Sequence, residues 1–181
     1  MKTAASRIVG LLLNKIMHWA LAKNGPGGYR GEDDTRWAYV IETDGDQYLE
    51  RLLLPRIRVP ALGIDVKPMI HHFLRPDADR NLHDHPWAWA RSLVLSGSYV
   101  ETRLERDETT LSRAAGGQDV TVTREVRRHN ALDAGDFHKV DELLGDVWTL
   151  FITGPTVQDW GFRVGGRKIP WRQYLADRGR S

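Results

Sequence analysis

From residue 37 onward the chain is a succession of short apolar or alternating runs, each cut off by turn-forming residues. The runs are WAYVIET (37–43), QYLERLLL (47–54), IDVKPMIHHFL (64–74), WARSLVLSG (89–97) and SYVETRLE (98–105). DVTVTREVRR (119–128), VWTLFITG (147–154) and DWGFRV (159–164) continue the pattern. Alternation at period two turns one side of such a segment toward a core, and short runs at this spacing predict an all-β domain, an antiparallel sandwich or barrel. TDGD at 43–46 reads as a hairpin connection, and SRAAGGQD at 112–119 as a loop between two solvent-facing strands. A helical pattern returns only in PWRQYLADRGR, where Pro170 is placed to open a short C-terminal helix.

The N-terminus reads differently. MKTAASRIVGLLLNKIMHWALAKN carries early positive charge, an apolar run and an Ala20-Leu21-Ala22 that mimics a leader cleavage site. Asn14 and Lys15 interrupt the run after Leu13, too early for a leader core or a membrane span. Ile8, Leu12, Ile16 and Trp19 follow helical spacing instead, and Asn24 with Gly25 supplies a stop. The expectation is an amphipathic helix that packs on the domain or on a partner subunit, in a cytoplasmic protein. NGPGGYRGEDD (24–34) separates it from the strands, so residues 1–34 read as a helical extension with its loop and 35–181 as one β domain.

Composition narrows the chemistry. The 181 residues contain no cysteine, which removes disulfides, thiolate metal sites and Cys-His catalysis. A formal charge of +2 with scattered arginines argues against a nucleic-acid partner, and no membrane partner is expected. No phosphate-binding loop, dinucleotide fingerprint or Gly-x-Ser-x-Gly elbow occurs. A metal, if held, must be held by histidine, carboxylate or backbone oxygen.

NLHDHPWAWARSLVLSG (81–97) offers histidine. His83 and His85 are two apart, so on a strand both imidazoles leave one face. A third histidine, His138, stands in ALDAGDFHKV (131–140), just before another expected strand. A His-x-His pair by itself also fits two half-buried histidines satisfied by backbone groups.

The wider spacing resembles the cupin superfamily, with its RmlC-like jelly-roll fold. HDH, then position 90, then Gly97 matches the first cupin motif, and DAGDFHKVDE resembles the second, which delivers a third histidine. The likeness covers roughly residues 64–164, and HDHPW, LSGSY, WTLF and WGF look like a group of bacterial and phage cupins. Three positions depart from the pattern: Ala90 stands for the motif glutamate, Asp133 for the proline and Glu142 for the closing asparagine.

The resemblance implies a jelly-roll barrel in which His83, His85 and His138 bind one divalent metal. Fe(II) is the first expectation; zinc, nickel and manganese are further occupants. Without the glutamate the site is a three-histidine one, as in the thiol dioxygenases, so a dioxygenase-type oxidation of a small molecule is implied. A non-redox isomerase or epimerase, and a small-ligand-binding module without catalysis, remain as alternatives. A carboxylate could still come from Asp84, Glu101 or Asp136, although alternation turns Asp84 away from the two histidines.

Tyr99 and His71 are candidate catalytic residues: the phenol because it follows the Ser96-Gly97-Ser98 turn, the imidazole because it shares a strand face with Met69 and Phe73. Arg91 and Arg103 are candidates for holding a substrate carboxylate, and Trp87 for a ring contact beside the histidines. Trp89, Trp148 and Trp160 read as packing residues. A homodimer is a further expectation.

Overall fold

The structure is a computed structural model, described here over residues 4–24, 36–43, 45–105 and 119–178. The 24–34 connection after Asn24, the 112–118 part of the expected loop and the 34/35 domain boundary lie outside the described residues. Helix α1 (Ala4–Asn24) precedes strands β1 (Ala38–Thr43), β2 (Asp46–Leu53), β3 (Ile57–Val59) and β4 (Ile64–Phe73). Then come β5 (Trp89–Ser96), β6 (Tyr99–Leu104), β7 (Thr121–Val126), β8 (His129–Asp133) and β9 (His138–Leu143). β10 (Val147–Thr153), β11 (Gly161–Val164), β12 (Arg167–Pro170) and a short helix α2 (Trp171–Arg178) close the chain. Pro170 directly precedes α2, as the sequence suggests.

The strands form sheets with antiparallel neighbours. One runs β1-β2-β4-β10-β5-β8, with β3 added beside the start of β4. The other is β7-β6-β9, and β11-β12 is a hairpin beside it. The all-β expectation with a helix at each end holds. The described strands make a sandwich of antiparallel sheets that face each other and do not close into a barrel. Strands β3, β8, β9 and β12 have no counterpart among the runs read from the sequence; β3 and β12, of three and four residues, are too short to show a period of their own.

Period two sorts the side chains. Tyr99, Val126 and Val140 of the smaller sheet meet Val147, Phe73 and Val94 of the larger one. Beside them Met69, Ala90, Leu132 and Phe151 form a second cluster. The opposite face of the larger sheet is covered by α1, where Met17 and Ala20 pack on Ala38, Leu52, Ile70 and Trp148. Met17 and Trp148 are fully buried, and burial of the methionine alone is worth about 2 kcal/mol.

The helix docks by a face other than the one the sequence suggests. Ile8, Leu12, Ile16 and Trp19 are 48–58% exposed, and the seam is made by Leu13, Met17, Ala20 and Leu21. A helix lying closely on a sheet around a tryptophan needs small residues and a flexible methionine there, so the bulkier stripe is left outside. No described helix is long and apolar enough to cross a membrane.

Two motif glycines have conformational reasons. Gly97 has φ +70° and a Cβ on it would stand 2.6 Å from the Asp146 carbonyl oxygen, so only glycine turns β5 into β6 there. Gly135 has φ +79° within a turn in which Asp136 N–H donates to Asp133 O and Asp133 N–H to Asp136 Oδ2. That turn delivers His138 to the first position of β9.

Candidate metal centre

His83 and His85 do not sit on a regular strand; β5 begins only at Trp89. His83 is an isolated bridge residue between β9 and β11. Its N–H donates to His138 O and the His138 N–H donates back to His83 O, both at 2.9 Å. On its other side Asp84 N–H bonds Gly161 O and Arg163 N–H bonds Leu82 O. This extended stitch joins the β11-β12 hairpin to the smaller sheet and sets two of the three histidines directly opposite each other.

Asp84, between the histidines, points away from them and pegs the segment. Its fully buried carboxylate accepts from Gly161 N–H at 2.7 Å, Gln158 Nε2 at 3.0 Å and Lys168 Nζ at 2.6 Å. Gln158 Nε2 also donates to His85 O at 2.7 Å. The carboxylate thus holds the HDH backbone to the 158–168 region and ligates nothing. Asp84→Ala leaves a buried N–H and an ammonium without their acceptor, so the denaturation free energy should fall by about 3 kcal/mol. Urea unfolding checks this; a midpoint equal to wild type would remove Asp84 from that role.

The three imidazoles converge. Ring centroids are 5.1 Å apart for His83–His85, 5.0 Å for His83–His138 and 5.1 Å for His85–His138. One ligand nitrogen from each lies within 4.8 Å of the others. His85 Nε2 and His138 Nε2 are 2.9 Å apart. Two nitrogens bound at right angles, each ~2.1 Å from one ion, would be ~3.0 Å apart, so this pair is already spaced for a shared cation. Burial holds the His83 imidazole below its ordinary range, with the neighbouring His138 adding to the effect while Asp77 opposes it. His85 is pushed well down by burial and by the charges of His138, His83 and Arg51. Both therefore offer unprotonated nitrogens at neutral pH, the form a metal requires.

Behind His138 stands Glu101, whose Oε1 is 2.7 Å from Nδ1, though bent from ideal hydrogen-bond alignment. Its side chain is fully buried, and Arg124 Nε and Nη2 donate to Oε2 at 3.1 and 3.0 Å while Asn130 Nδ2 donates to Oε1 at 2.8 Å. Burial opposes the charge, but His138, Asn130 and Arg103 outweigh it and bring the carboxyl to about 2. A carboxylate behind an imidazole fixes the ring and leaves Nε2 facing the cluster. Glu101 thus braces His138 from behind and stands outside the trio of imidazole nitrogens. On the other side His83 Nδ1 is 4.0 Å from Asp77 Oδ2.

The surroundings are aromatic. Trp87 stacks on His85 at 5.2 Å, Phe151 stands edge-on to Trp87, and Phe162 and Trp160 flank His83. Ala90, at the glutamate position of the motif, is buried among Met69, Leu132, Phe151 and Trp87. No carboxylate occupies that place.

The remaining candidates divide. His71 is buried, stacks on Phe151 at 4.9 Å and accepts from Arg51 Nε at 3.0 Å; burial first, then Arg51, hold it well below its usual range. Tyr99 is not at the histidines: it packs between the sheets with its hydroxyl accepting from Asn130 Nδ2 at 3.1 Å, and burial and Glu101 raise it to about 12. It reaches His138 only through Asn130 and Glu101. Arg91 lies on the outward side of β5, bonded to Asp133 and over the Trp89 ring, so its register takes it away from the centre. Arg103 points inward, its Nε 3.8 Å from Glu101, but its Nη2 is engaged by Ala131 O at 2.6 Å and Asp136 at 3.5 Å. Asp136 caps the turn before His138. The supporting roles of Arg124, Asn130 and Arg51 were not visible in the sequence. Alternation from Tyr99 to Glu101 was the available signal for an inward carboxylate on β6.

No family model and no curated protein matches the chain. Among solved structures it is similar to a Bacillus subtilis oxalate decarboxylase (15% identity, TM-score 0.41, 60% of this chain and 26% of that one). Fe(II) HppE with substrate is similar at 12% identity and TM-score 0.43, over 72% of this chain and 61% of that one. A recombinant oxalate oxidase with glycolate is similar at 17% identity and TM-score 0.41, over 72% and 66%. The chain thus spans about a quarter to two thirds of their lengths. These are cupin-fold proteins, the superfamily that the two histidine motifs resemble.

Proposed function

We propose that the protein is a metal-dependent cupin-type enzyme that holds one divalent cation through His83, His85 and His138 and oxidises a small molecule. The observation that carries this reading is the near-equilateral approach of three imidazoles on two backbone segments locked by reciprocal hydrogen bonds. Bound there, Fe(II) would supply dioxygen chemistry, and zinc, nickel or manganese would supply Lewis acidity. Glu101 orients His138, and Asp84 keeps the His83–His85 backbone in register. Trp87, Phe151, Trp160 and Phe162 form an apolar wall that limits water near the imidazoles. With alanine at position 90, the ligand set is neutral, and the Met69–Leu132–Phe151 cluster lies where the motif has a carboxylate.

The experiment is elemental analysis of protein purified without a histidine tag, followed by anaerobic iron loading and a screen for substrate-dependent oxygen uptake. Near-stoichiometric metal with oxygen uptake supports the reading. Turnover that persists without oxygen points to the isomerase alternative. Ala90 is the observation behind a second reading, a ligand-binding module, which tight retention of a small molecule with no metal and no turnover would favour.

A further inference from the structure

Helix α1 leaves one apolar face uncovered. Its seam on the larger sheet is already complete: Met17 and Ala20 are fully buried, and Leu13 and Leu21 pack beside them. On its other side Ile8, Leu11, Leu12, Ile16 and Trp19 recur at i, i+3, i+4, i+8 and i+11 and are 48–64% exposed. Trp37, just before β1, lies against Trp19 with ring centroids 5.5 Å apart, so the stripe continues onto the domain. Trp37 is held in that position, because its N–H donates to Asn24 Oδ1 at 3.0 Å and Asn24 Nδ2 donates to Ala20 O at 2.7 Å.

Single exposed apolar side chains are ordinary on a monomer, whereas five on one helix face mark a surface that meets something. The charges say what. α1 carries Arg7, Lys15 and Lys23 and neither Asp nor Glu. Lys15 is three residues from Leu12 and four from Leu11 and Trp19, and Lys23 is four from Trp19, so both exposed lysines stand on the apolar side itself. A second copy of the helix would bring lysines against lysines as the stripe closed, with no carboxylate on the helix to receive them. A bilayer surface with anionic headgroups has no such conflict: the lysine stems lie along the apolar face while the ammonium groups reach the phosphates. Tryptophan suits the same boundary, with its ring in the apolar layer and its N–H toward water. The interruption of the apolar run at Asn14 and Lys15 excludes a helix that spans, not one that lies flat, and no described helix is long and apolar enough to cross.

We propose that the outward face of α1, with Trp37, is a docking surface that seats the domain on a bilayer containing anionic phospholipid. The helix lies in the plane of the headgroups with its Met17–Ala20 side still packed on the larger sheet. Ile8, Leu11, Leu12, Ile16 and Trp19 enter the acyl boundary, and Lys15 and Lys23 hold headgroup phosphates. The three histidines lie on the other side of that sheet, so this surface stands or falls independently of the metal reading.

The protein is mixed with vesicles of phosphatidylcholine alone, or of phosphatidylcholine with phosphatidylglycerol, and the sedimented fraction is measured at low and at high salt. Binding is expected on the phosphatidylglycerol vesicles, at least about tenfold weaker on phosphatidylcholine alone, and weaker again as salt rises. Leu12→Gln with Ile16→Gln should lower the partition coefficient about ten- to hundredfold, and Lys15→Gln with Lys23→Gln about tenfold or more. All four side chains are on the outward face, so circular dichroism and the thermal midpoint should match wild type. Leu62→Gln, at a residue more exposed than any in the stripe but in the single helical turn after β3, should bind as wild type does. No binding to phosphatidylglycerol vesicles, equal binding to both vesicle types, or binding indifferent to Leu12 and Ile16 overturns the surface. A loss in Leu62→Gln as large as in the helix pair also overturns it, since the contact is then general apolar adhesion. Light scattering of the vesicle-free protein tests the other occupant. A dimer that Leu12→Gln with Ile16→Gln breaks into monomers, without vesicle binding, would assign the face to a second copy and overturn the membrane proposal.

Discussion

His138→Ala protein, purified without a tag and reconstituted with a divalent cation, should contain almost no metal, while wild type approaches one ion per chain. Partners behind a ligand are worth about 10–100-fold in metal affinity, and a ligand is worth more. With alanine at 90 the site has no protein carboxylate at that position to compensate, and the loss of one imidazole leaves two. The variant also strips Glu101 of a partner, so the fold itself is weakened. His85→Ala separates the two effects, because that ring meets Trp87, Phe151 and the other imidazoles rather than a carboxylate. Elemental analysis of both variants, with circular dichroism to confirm the β signal, is the measurement. Full occupancy in both would mean the histidines do not hold the ion.

Glu101→Gln should flatten the acid limb of the stability curve. The carboxyl lies at about 2 in the folded protein against an ordinary 4.5, because His138, Asn130 and Arg103 outweigh burial. A folded value below the unfolded one means that the unfolded chain binds more protons in that interval. The stabilisation, about 3 kcal/mol, is therefore complete above pH 4.5 and drains away as pH falls toward 2. The glutamine variant should lose stability at neutral pH and show a shallower decline across that window in urea midpoints. Metal affinity should drop about 10–100-fold as His138 loses its orienting charge. An acid profile parallel to wild type would show that Glu101 is not the group responsible, whatever its effect on metal.

Much of this molecule was legible from local pattern. Alternation over 64–74, 89–97 and 147–154 placed β4, β5 and β10, and it correctly set His71 beside Phe73 and turned Asp84 away from its histidine neighbours. The resemblance carried by the HDH spacing and the DAGDFH turn pointed to His83, His85 and His138 as one group. The same reasoning misjudged α1, because helical periodicity reports that a stripe is apolar, not whether the partner surface has room for it. It also put His83 and His85 on a strand, although His83 is a single bridge residue between β9 and β11, and it aimed Tyr99 and Arg91 at a site that neither touches.

By itself the sequence determined the all-β character, the two terminal helices and the motif glycines, since each depends on residues close together in the chain; the convergence of His138 with His83 and His85 does not, because 53 residues separate His85 from His138. Only the tertiary structure decided that Asp84 is a peg, that Glu101 stands behind His138, and that Arg51 of β2 bonds His71 of β4. Those relations depend on register between strands far apart in sequence. A slip of one residue in any pairing sends the side chain to the opposite face, and no stretch of a single strand records which register its neighbours will adopt.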